Sequence, residues 1–352
     1  MHLKQLLLIS ALLGVFAVIL SAGSAVLSPF DTSVIQADEP EVTPETTNAP
    51  EKTIVPAGAH DASAMIRFLH DGETTEISLY DYLVGATAAE MPAAFEPEAL
   101  CAQVVALRTY VLHHIRIAPP ENHTDADVCG DFGCCAAYDD ETALREKWGA
   151  EYDHNLARVR NAVYQTDGVY ISYESEPILA VFHSSSYRTT TGSEKVWSKP
   201  VPYLVGVPSP ETEEEVTNLK STVTVSANDF GSTMLAAYPD AKLDSDARTW
   251  ITDMKIDNSG RVDTITIGGV TLSGTQLRAL FALRSTAVSV TVGDEFVFET
   301  MGYGHGVGMS QYGANIMAKN GASWREIIKA YYTGVALSDE TYGKTPVEKV
   351  EI

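Results

Sequence analysis

The sequence G-Y-G-H-G-V-G-M-S-Q-Y-G-A occupies residues 302–314 and has a glycine at every second position from 302 to 308. Glycine adopts positive φ without steric cost and allows close backbone approach, at a cost in conformational entropy. The stretch lacks the lysine of a phosphate-binding loop, and no acidic residue lies at the distance of a dinucleotide fingerprint. It therefore predicts a tight backbone crossing or a site where polar side chains converge on a ligand. The alternative is a glycine-rich turn.

The composition limits the classes of partner. The 352 residues are 45% hydrophobic and carry a formal net charge of −23. The apolar content is sufficient for one large domain or two smaller ones. A chain this acidic is repelled by nucleic acid and by anionic membrane surfaces, so neither is expected as a partner.

The N-terminal segment, residues 1–30, predicts export. Lys4 precedes an uncharged stretch, residues 5–30, which is long enough to span a bilayer as a single transmembrane helix. The positive charge before it and the acidic residues after it predict a cytosolic N-terminus with the bulk of the chain outside. The small residues 22–25 are also compatible with a signal-peptidase site, so the segment is an anchor or a cleaved signal.

The remaining chain divides into a linker and a folded part. Residues 31–58 are rich in Asp, Glu, Pro and Thr and predict a flexible acidic linker. The predicted extracytoplasmic domain spans residues 59–345, with an α+β subdomain at 211–298. Periodicity predicts helices at 79–89, from Pro97 onward, 143–165, 227–238 and 274–283, and strands at 169–173, 178–182, 222–225, 250–256, 262–267 and 288–292. Short strands mixed with separate helices indicate an α+β fold, and the charged run 211–215 predicts a solvated loop.

Glu90 is the strongest candidate for a chemical role. It lies at the end of the first predicted helix, immediately before Met91 and Pro92, because the residue before a proline is disfavoured in helical geometry. The negative end of the helix dipole and apolar neighbours both disfavour the ionised carboxylate and raise its pKa. Cleavage of a glycosidic bond requires such a protonated acid. The alternative is a surface glutamate at a helix end.

Several short motifs carry a family resemblance. In order along the chain they are Glu90-Met91-Pro92, CAQVVALRTY at 101–110, HSSS at 183–186, VPYL at 201–204, GHGVGMSQYGA at 304–314 and YYTG at 331–334. Together they resemble the stage II sporulation protein D family, membrane-anchored lytic transglycosylases of endospore-forming bacteria. The resemblance covers roughly residues 77–335.

The resemblance implies cleavage of the MurNAc–GlcNAc bond of peptidoglycan without water. One residue protonates the leaving oxygen and then acts as base on the sugar's 6-hydroxyl, which closes a 1,6-anhydro ring. Ordinary glycosidases use two carboxylates, and in this sequence no second carboxylate stands near the strongest motifs. The implied substrate is glycan strands stripped of stem peptides, cut during engulfment in sporulation. The implied partners are stage II sporulation proteins P and M, and the implied location is the mother-cell membrane facing the forespore.

The family pattern also implies site residues within an α+β fold built around one glycan-binding groove. Glu90 would be the acid/base, and Arg108 would orient or balance the site, with a structural ion pair as the alternative. The residues implied to line the groove are His183, Ser185, Ser186, Tyr203, His305, Gln311 and Tyr312. The alternative function is a non-catalytic activator of a cell-wall amidase, although an activator needs no buried acid at Glu90. A third possibility is a wall-binding tether.

The four cysteines separate into two groups. Cys101 stands where the family helix usually carries lysine, and its apolar neighbours predict a core position. His123, Cys129, Cys134 and Cys135 form the pattern H-x5-C-x4-C-C and could supply a tetrahedral structural zinc site. Zinc-binding members of the family have His-Cys where this chain has Cys134-Cys135. The alternative is a disulfide from Cys129 to Cys134 or Cys135, which leaves one thiol over.

Overall fold

A computed structural model of the chain describes residues 59–123, 125–197 and 199–339. The predicted anchor or signal at residues 1–30 and the linker at 31–58 lie outside the described residues. Within the described ranges, no helix combines the length and the apolar character needed to cross a membrane.

Helices and strands alternate irregularly along the chain. The helices are α1 (Ala59–Ser63), α2 (Leu79–Glu90), α3 (Pro97–Arg116), α4 (Glu141–Trp148), α5 (Tyr152–Gln165), α6 (Glu194–Trp197), α7 (Ala227–Ala237), α8 (Gly274–Leu280), α9 (Gln311–Lys319) and α10 (Trp324–Tyr331). The strands are β1 (Met65–His70), β2 (Glu73–Ser78), β3 (Val128–Cys129), β4 (Val169–Tyr173), β5 (Glu176–Pro177), β6 (Phe182–His183), β7 (Lys220–Ser226), β8 (Ile251–Ile256), β9 (Val262–Ile267), β10 (Val270–Ser273), β11 (Val288–Val292), β12 (Glu295–Met301), β13 (Met309–Ser310) and β14 (Ala336–Asp339).

The strands form small separate sheets. Their orders are β2-β1-β3, β14-β4-β5, β13-β6, β11-β12-β7 and β10-β9-β8. The pairing is antiparallel except for β1 with β3 and β6 with β13. These short sheets between separate helices confirm the α+β class.

Helix α3 is the centre of the main hydrophobic core. Pro97 occupies its first turn, where a missing N–H costs nothing. Residues 99–112 are mostly apolar and, apart from Tyr110, are buried, as is typical of a helix inside a core. Accordingly α3 packs against α2, α5, α9, α10 and β4. Cys101 is 1% exposed within this core, which confirms its predicted position.

A second hydrophobic core lies between residues 223 and 298. Phe230 of α7 is at its centre, with its ring stacked on Phe296 at a centroid distance of 3.8 Å and on Phe281 at 4.7 Å. The sheets β11-β12-β7 and β10-β9-β8 both contribute to it. This core falls in the range for which the α+β subdomain is predicted.

Two predicted elements differ from the structure. The helix predicted at 143–165 is interrupted after Trp148, where Gly149 has a φ of 50°, and continues as α5. The strand predicted at 178–182 is absent as one element, because the chain between β5 and β6 is used for a close crossing with the glycine-rich run. No helix is predicted after residue 302, yet α9 begins at Gln311, where Ser310 Oγ accepts from the N–H of Gly313 at 3.3 Å.

The glycine-rich run crosses residues 181–186 at close range, which confirms the predicted backbone crossing. All four alternating glycines from 302 to 308 have positive φ. At Gly308 a Cβ would overlap the carbonyl oxygen of Val181. Strand β13 then runs parallel to β6, with Ser310 opposite His183. Two distant motifs therefore meet at the start of α9.

Candidate active site

Glu90 is the last residue of α2, as predicted, and its half-buried carboxylate has two hydrogen-bond donors. The N–H of Ala137 donates to Oε1 at 2.7 Å. Gln311 Nε2 lies 3.5 Å from Oε2, a long hydrogen bond. Burial raises the pKa of Glu90, while the two donors and the charge of Lys147 oppose the rise. Burial has the largest effect, so the pKa of Glu90 lies above its ordinary value, while both oxygens of the ionised form have a hydrogen-bond donor.

Lys147 is a charged neighbour that the sequence did not reveal. Its Nζ donates to Ala88 O and to Asp139 Oδ2, each at 2.9 Å. The carbonyl of Ala88 lies in the last turn of α2, so Lys147 also satisfies an acceptor near the helix C-terminus. Tyr82 is the other titratable neighbour, and burial together with nearby thiols and Glu90 raises its pKa well above its ordinary value.

The loop after Glu90 is fixed by residues from two helices. Arg158 of α5 donates from Nε to Ala93 O and from Nη2 to Phe95 O, both at 2.7 Å. Asn315 of α9 accepts from the N–H of Glu96 at 2.8 Å. These contacts bond residues 93–96 to both α5 and α9, so the turn that follows Glu90 is anchored to two helices.

Gln311 and Tyr312 are the predicted groove residues that the structure brings beside this turn. They occupy the first turn of α9, with Gln311 6% exposed and Tyr312 half-buried. The ring of Tyr312 meets Phe95 edge-on at 5.0 Å, and its N–H donates to Ser184 O at 3.0 Å. The start of α9 therefore connects Glu90 to the segment 183–186.

Ser186 and His183 form an internal hydrogen-bonded pair instead of lining a groove. Ser186 is 0% exposed and His183 is 4% exposed. His183 Nδ1 faces Val307 O at 3.1 Å and Nε2 faces Ser186 Oγ at 2.7 Å. Burial holds the pKa of His183 well below its ordinary value, so the neutral ring donates from Nδ1 and accepts from the hydroxyl. The prediction that these two residues contact glycan is corrected, and Ser185 is almost as buried.

Arg108 does not belong to the groove. Its side chain is 0% exposed and forms an ion pair with Asp61 of α1, with Nε to Oδ1 at 2.8 Å and Nη2 to Oδ2 at 2.5 Å. Nη1 donates to Val169 O at 2.9 Å. The predicted role at the site is therefore corrected in favour of the structural ion pair. A buried arginine needs such a partner, and nothing in the sequence near Arg108 identified Asp61 as that partner.

Tyr203 and His305, two further predicted groove residues, both form hydrogen bonds with backbone N–H groups. Tyr203 Oη accepts from the N–H of Leu179 at 3.0 Å, and burial raises its pKa. His305 Nδ1 accepts from the N–H of Val307 at 3.1 Å, and burial lowers its pKa to about 4. The His305 ring lies between His183 and the exposed Trp197, at centroid distances of 5.6 and 5.4 Å.

Glu211 is a second carboxylate beside the HSSS and GHGVGMSQYGA motifs, and it was not predicted from the sequence. The run 211–215 was expected to be solvated, yet Glu211 is 3% exposed while residues 212–215 are exposed. Its Oε1 accepts from the N–H of Ser186 at 2.8 Å and from the hydroxyl of Ser310. The sequence of a charged run does not show which of its residues is buried, because this depends on which one the fold places beside hydrogen-bond donors.

His123, Cys129, Cys134 and Cys135 lie close together in the structure. Their potential ligand atoms all lie within 4.8 Å of one another. Cys135 Sγ lies 3.5 Å from His123 Nε2 and 3.8 Å from Cys134 Sγ. His123 Nδ1 lies 3.2 Å from Ala126 O, which favours a proton on Nδ1 and leaves the Nε2 lone pair directed at the thiols. All four cysteines of the chain are free thiols in the structure.

The fold and the site define an α+β protein with one partly buried candidate acid and a separate cluster of metal-ligating side chains. The family model described as Stage II sporulation protein (SpoIID) matches residues 71–173. That range contains Glu90 and the metal-ligating cluster, but not residues 183–312.

Comparison with individual proteins extends the match across most of the chain. Stage II sporulation protein D of Bacillus subtilis (strain 168) is 34% identical over 265 residues, 75% of each chain. The protein of the same name from Bacillus amyloliquefaciens is 35% identical over 266 residues, again 75% of each. The amidase enhancer of Bacillus subtilis is 27% identical over 308 residues, 73% of this chain and 40% of that protein. The chain belongs to the stage II sporulation protein D family, which confirms the predicted resemblance.

Proposed function

We propose that the protein acts on the cell wall in sporulation as a peptidoglycan lytic transglycosylase, with Glu90 as its single acid/base. The observation that carries the proposal is the Glu90 carboxyl, whose pKa is raised by burial and whose two oxygens each have a hydrogen-bond donor. A general acid of raised pKa supports bond cleavage near neutral pH. Family membership supports the sporulation context.

The proposed reaction uses both protonation states of Glu90. The protonated carboxyl gives its proton to the glycosidic oxygen as the bond from that oxygen to C1 of MurNAc breaks. The resulting carboxylate removes the proton of the 6-hydroxyl, whose oxygen forms the new bond to C1. Ala137 and Gln311 donate to the two carboxylate oxygens, so they stabilise the ionised state that exists between the two proton transfers.

The burial of Glu211 supports a mechanism with one carboxylate. An ordinary glycosidase needs a second carboxylate that attacks the sugar or activates water. Glu211 is 3% exposed, and its Oε1 is already bonded to Ser186 and Ser310. It therefore has no access to a substrate, and we propose the sugar's own 6-hydroxyl as the nucleophile.

Product analysis tests the proposal. A protein comprising residues 52–352, which lacks the predicted anchor, is incubated with peptide-free glycan strands and the products are examined by mass spectrometry. We expect fragments that end in 1,6-anhydroMurNAc. Reducing ends would identify a hydrolase and contradict the proposal. Absence of cleavage would favour the second candidate.

The second candidate is a non-catalytic activator of a cell-wall amidase. It is retained because a relative that is 27% identical is named amidase enhancer. Only 40% of that relative is covered, and an activator has no chemical need for a carboxyl with a hydrogen-bond donor to each oxygen. The enzyme remains the better interpretation.

We also propose that His123, Cys129, Cys134 and Cys135 hold a structural zinc ion. Three thiols and one imidazole are a preferred zinc ligand set, and the orientation of His123 toward the thiols fits it. With four protein ligands such an ion would stabilise the loop instead of offering an open coordination position.

Metal analysis of the reduced protein checks this site. We expect about one equivalent of zinc, and a large loss in Cys134→Ser and Cys135→Ser, because each variant removes one ligand. Cys101→Ser is the matched control: Cys101 lies in the α3 core, outside the cluster, so zinc content should not change. Less than about half an equivalent, together with a Cys129 disulfide found by peptide mapping, would contradict the zinc assignment.

The location and the partners are proposals that the sequence and the family support. We propose a single-pass membrane protein whose residues 59–345 act outside the cytoplasm, in the mother-cell membrane that faces the forespore. The preferred substrate is then glycan stripped of stem peptides, and stage II sporulation proteins P and M are the proposed partners. The uncharged segment at residues 5–30 supports the membrane location.

A further inference from the structure

Glu211 is a buried carboxylate that the proposed chemistry leaves unused. Its Oε1 accepts from the N–H of Ser186 at 2.8 Å and from Ser310 Oγ. Its Oε2 is buried and has no hydrogen-bond partner within the part of the chain that the structure describes. A buried charge with an unsatisfied oxygen is costly, so its surroundings must compensate for it.

Two positive influences compensate the charge of Glu211. Ser310 is the N-cap of α9, so the carboxylate lies at the positive end of the helix dipole. Arg261 is 2% exposed and its Nη2 donates to Ser186 Oγ at 3.3 Å. Arg261 and Glu211 both bond to Ser186, which places the two side chains on the same residue. Burial lowers the pKa of Arg261 to about 10, and the charges of Asp257 and Glu211 oppose this fall.

The first turn of α9 also packs closely against Glu211. A Cβ on Gly313 would overlap Tyr331 Oη and would lie 2.8 Å from Ser209 Oγ and 3.0 Å from Glu211 Oε2. Ser209 Oγ and Tyr331 Oη are themselves 2.9 Å apart. The start of the helix therefore packs closely against these three groups, of which Glu211 also bonds to the segment 183–186.

The two residues that bond to Glu211 are close in sequence to residues that contact Glu90 or hold the start of α9. Ser310 precedes Gln311, whose Nε2 faces Glu90 Oε2 at 3.5 Å. Ser186 lies two residues after Ser184, whose carbonyl accepts from Tyr312 at 3.0 Å. We propose that Glu211 is a positioning residue that fixes the start of α9 against residues 183–186 and so holds Gln311 at the carboxyl of Glu90. The inference rests on the proposed role of Glu90.

The test uses a direct readout at Glu90. In residues 52–352 labelled with ¹³C-glutamate, the pKa of Glu90 is followed by NMR titration, with its signal assigned by loss in Glu90→Gln. Glu211→Ala should raise the pKa of Glu90, because a displaced Gln311 no longer stabilises the carboxylate. Gln311→Ala should raise it equally, and the double variant no further. Glu211→Gln keeps an amide oxygen that can accept both bonds, so it should restore the original pKa.

Controls separate positioning from general stability. Ser209→Ala disturbs the same turn but has no bond to Ser186 or Ser310, so it should leave the pKa of Glu90 unchanged. If Glu211→Ala does not fold, Ser310→Ala breaks the same link from the side of α9 and should give the same rise. An unchanged pKa in the folded variants, or an additive double variant, would overturn the inference.

Glycan cleavage gives the second readout. We expect Glu211→Ala to lower kcat by about 10- to 100-fold, because a misplaced donor weakens the site geometry. If the unaltered protein does not cleave glycan, the proposed function fails, and the titration still decides whether Glu211 positions Gln311. If the unaltered protein cleaves and Glu211→Ala cleaves equally well, the positioning role fails alone.

Discussion

Glu90→Gln is expected to reduce cleavage of peptide-free glycan strands by at least about 10³-fold while leaving strand binding within about twofold. Glutamine has the shape of glutamate and can still accept from Ala137, so the turn should keep its position. It has no acidic proton to donate and cannot act as the base, so both proton transfers fail. Product yield by mass spectrometry and equilibrium binding to strands measure the two effects.

The control for this variant is Glu76→Gln, which makes the same change of charge on an exposed strand residue. It should cleave at the original rate. The rate of the unaltered protein should fall as pH rises through the raised pKa of Glu90, and therefore at higher pH than for an ordinary carboxyl. Cleavage by Glu90→Gln at a rate close to that of Glu76→Gln would contradict the role assigned to Glu90.

Asp61→Ala is expected to lower the free energy of unfolding by about 3–5 kcal/mol. The side chains of Asp61 and Arg108 are 1% and 0% exposed, so the variant leaves a buried guanidinium without its anion. Urea denaturation measures the loss. Adding Arg108→Met should recover most of the stability, because an apolar side chain of similar length removes the unpaired charge.

An exposed pair gives the comparison for Asp61. Glu141 and Arg145 lie at i and i+4 on α4 and are mostly exposed, so Glu141→Ala should cost no more than about 0.5 kcal/mol. If Asp61→Ala instead preserved stability and weakened glycan binding, the structural assignment of Arg108 would be wrong. A loss of stability without a change in binding is expected.

The parts of the fold predicted correctly depend on local signals. Pro97 followed by an apolar run identified the buried helix α3, and the proline after Met91 identified the end of α2 at Glu90. The α+β class followed from the same patterns. The break at Gly149 was missed, because the periodicity continues across it.

The contacts that complete the candidate site depend on topology, which a single sequence does not contain. The N–H of Ala137 has no side-chain signature, and Lys147 resembles any helix-surface lysine. Hydroxyl and imidazole groups suit glycan binding and internal networks equally well, so the family pattern could not show whether Ser186 and His183 line the groove or lie inside the protein. Only burial distinguishes the two roles.

The two hydrogen bonds to Glu90 have a consequence for the order of folding. The bond from Ala137 spans 47 positions of the chain, and the bond from Gln311 spans 221. Contacts between such distant residues form slowly, because closing long loops costs entropy before any contact is gained. Until both contacts have formed, the carboxyl of Glu90 lacks the donors that residues 137 and 311 supply in the folded chain. Under the proposed function, wall-cutting capacity is therefore complete only once α9 is in place.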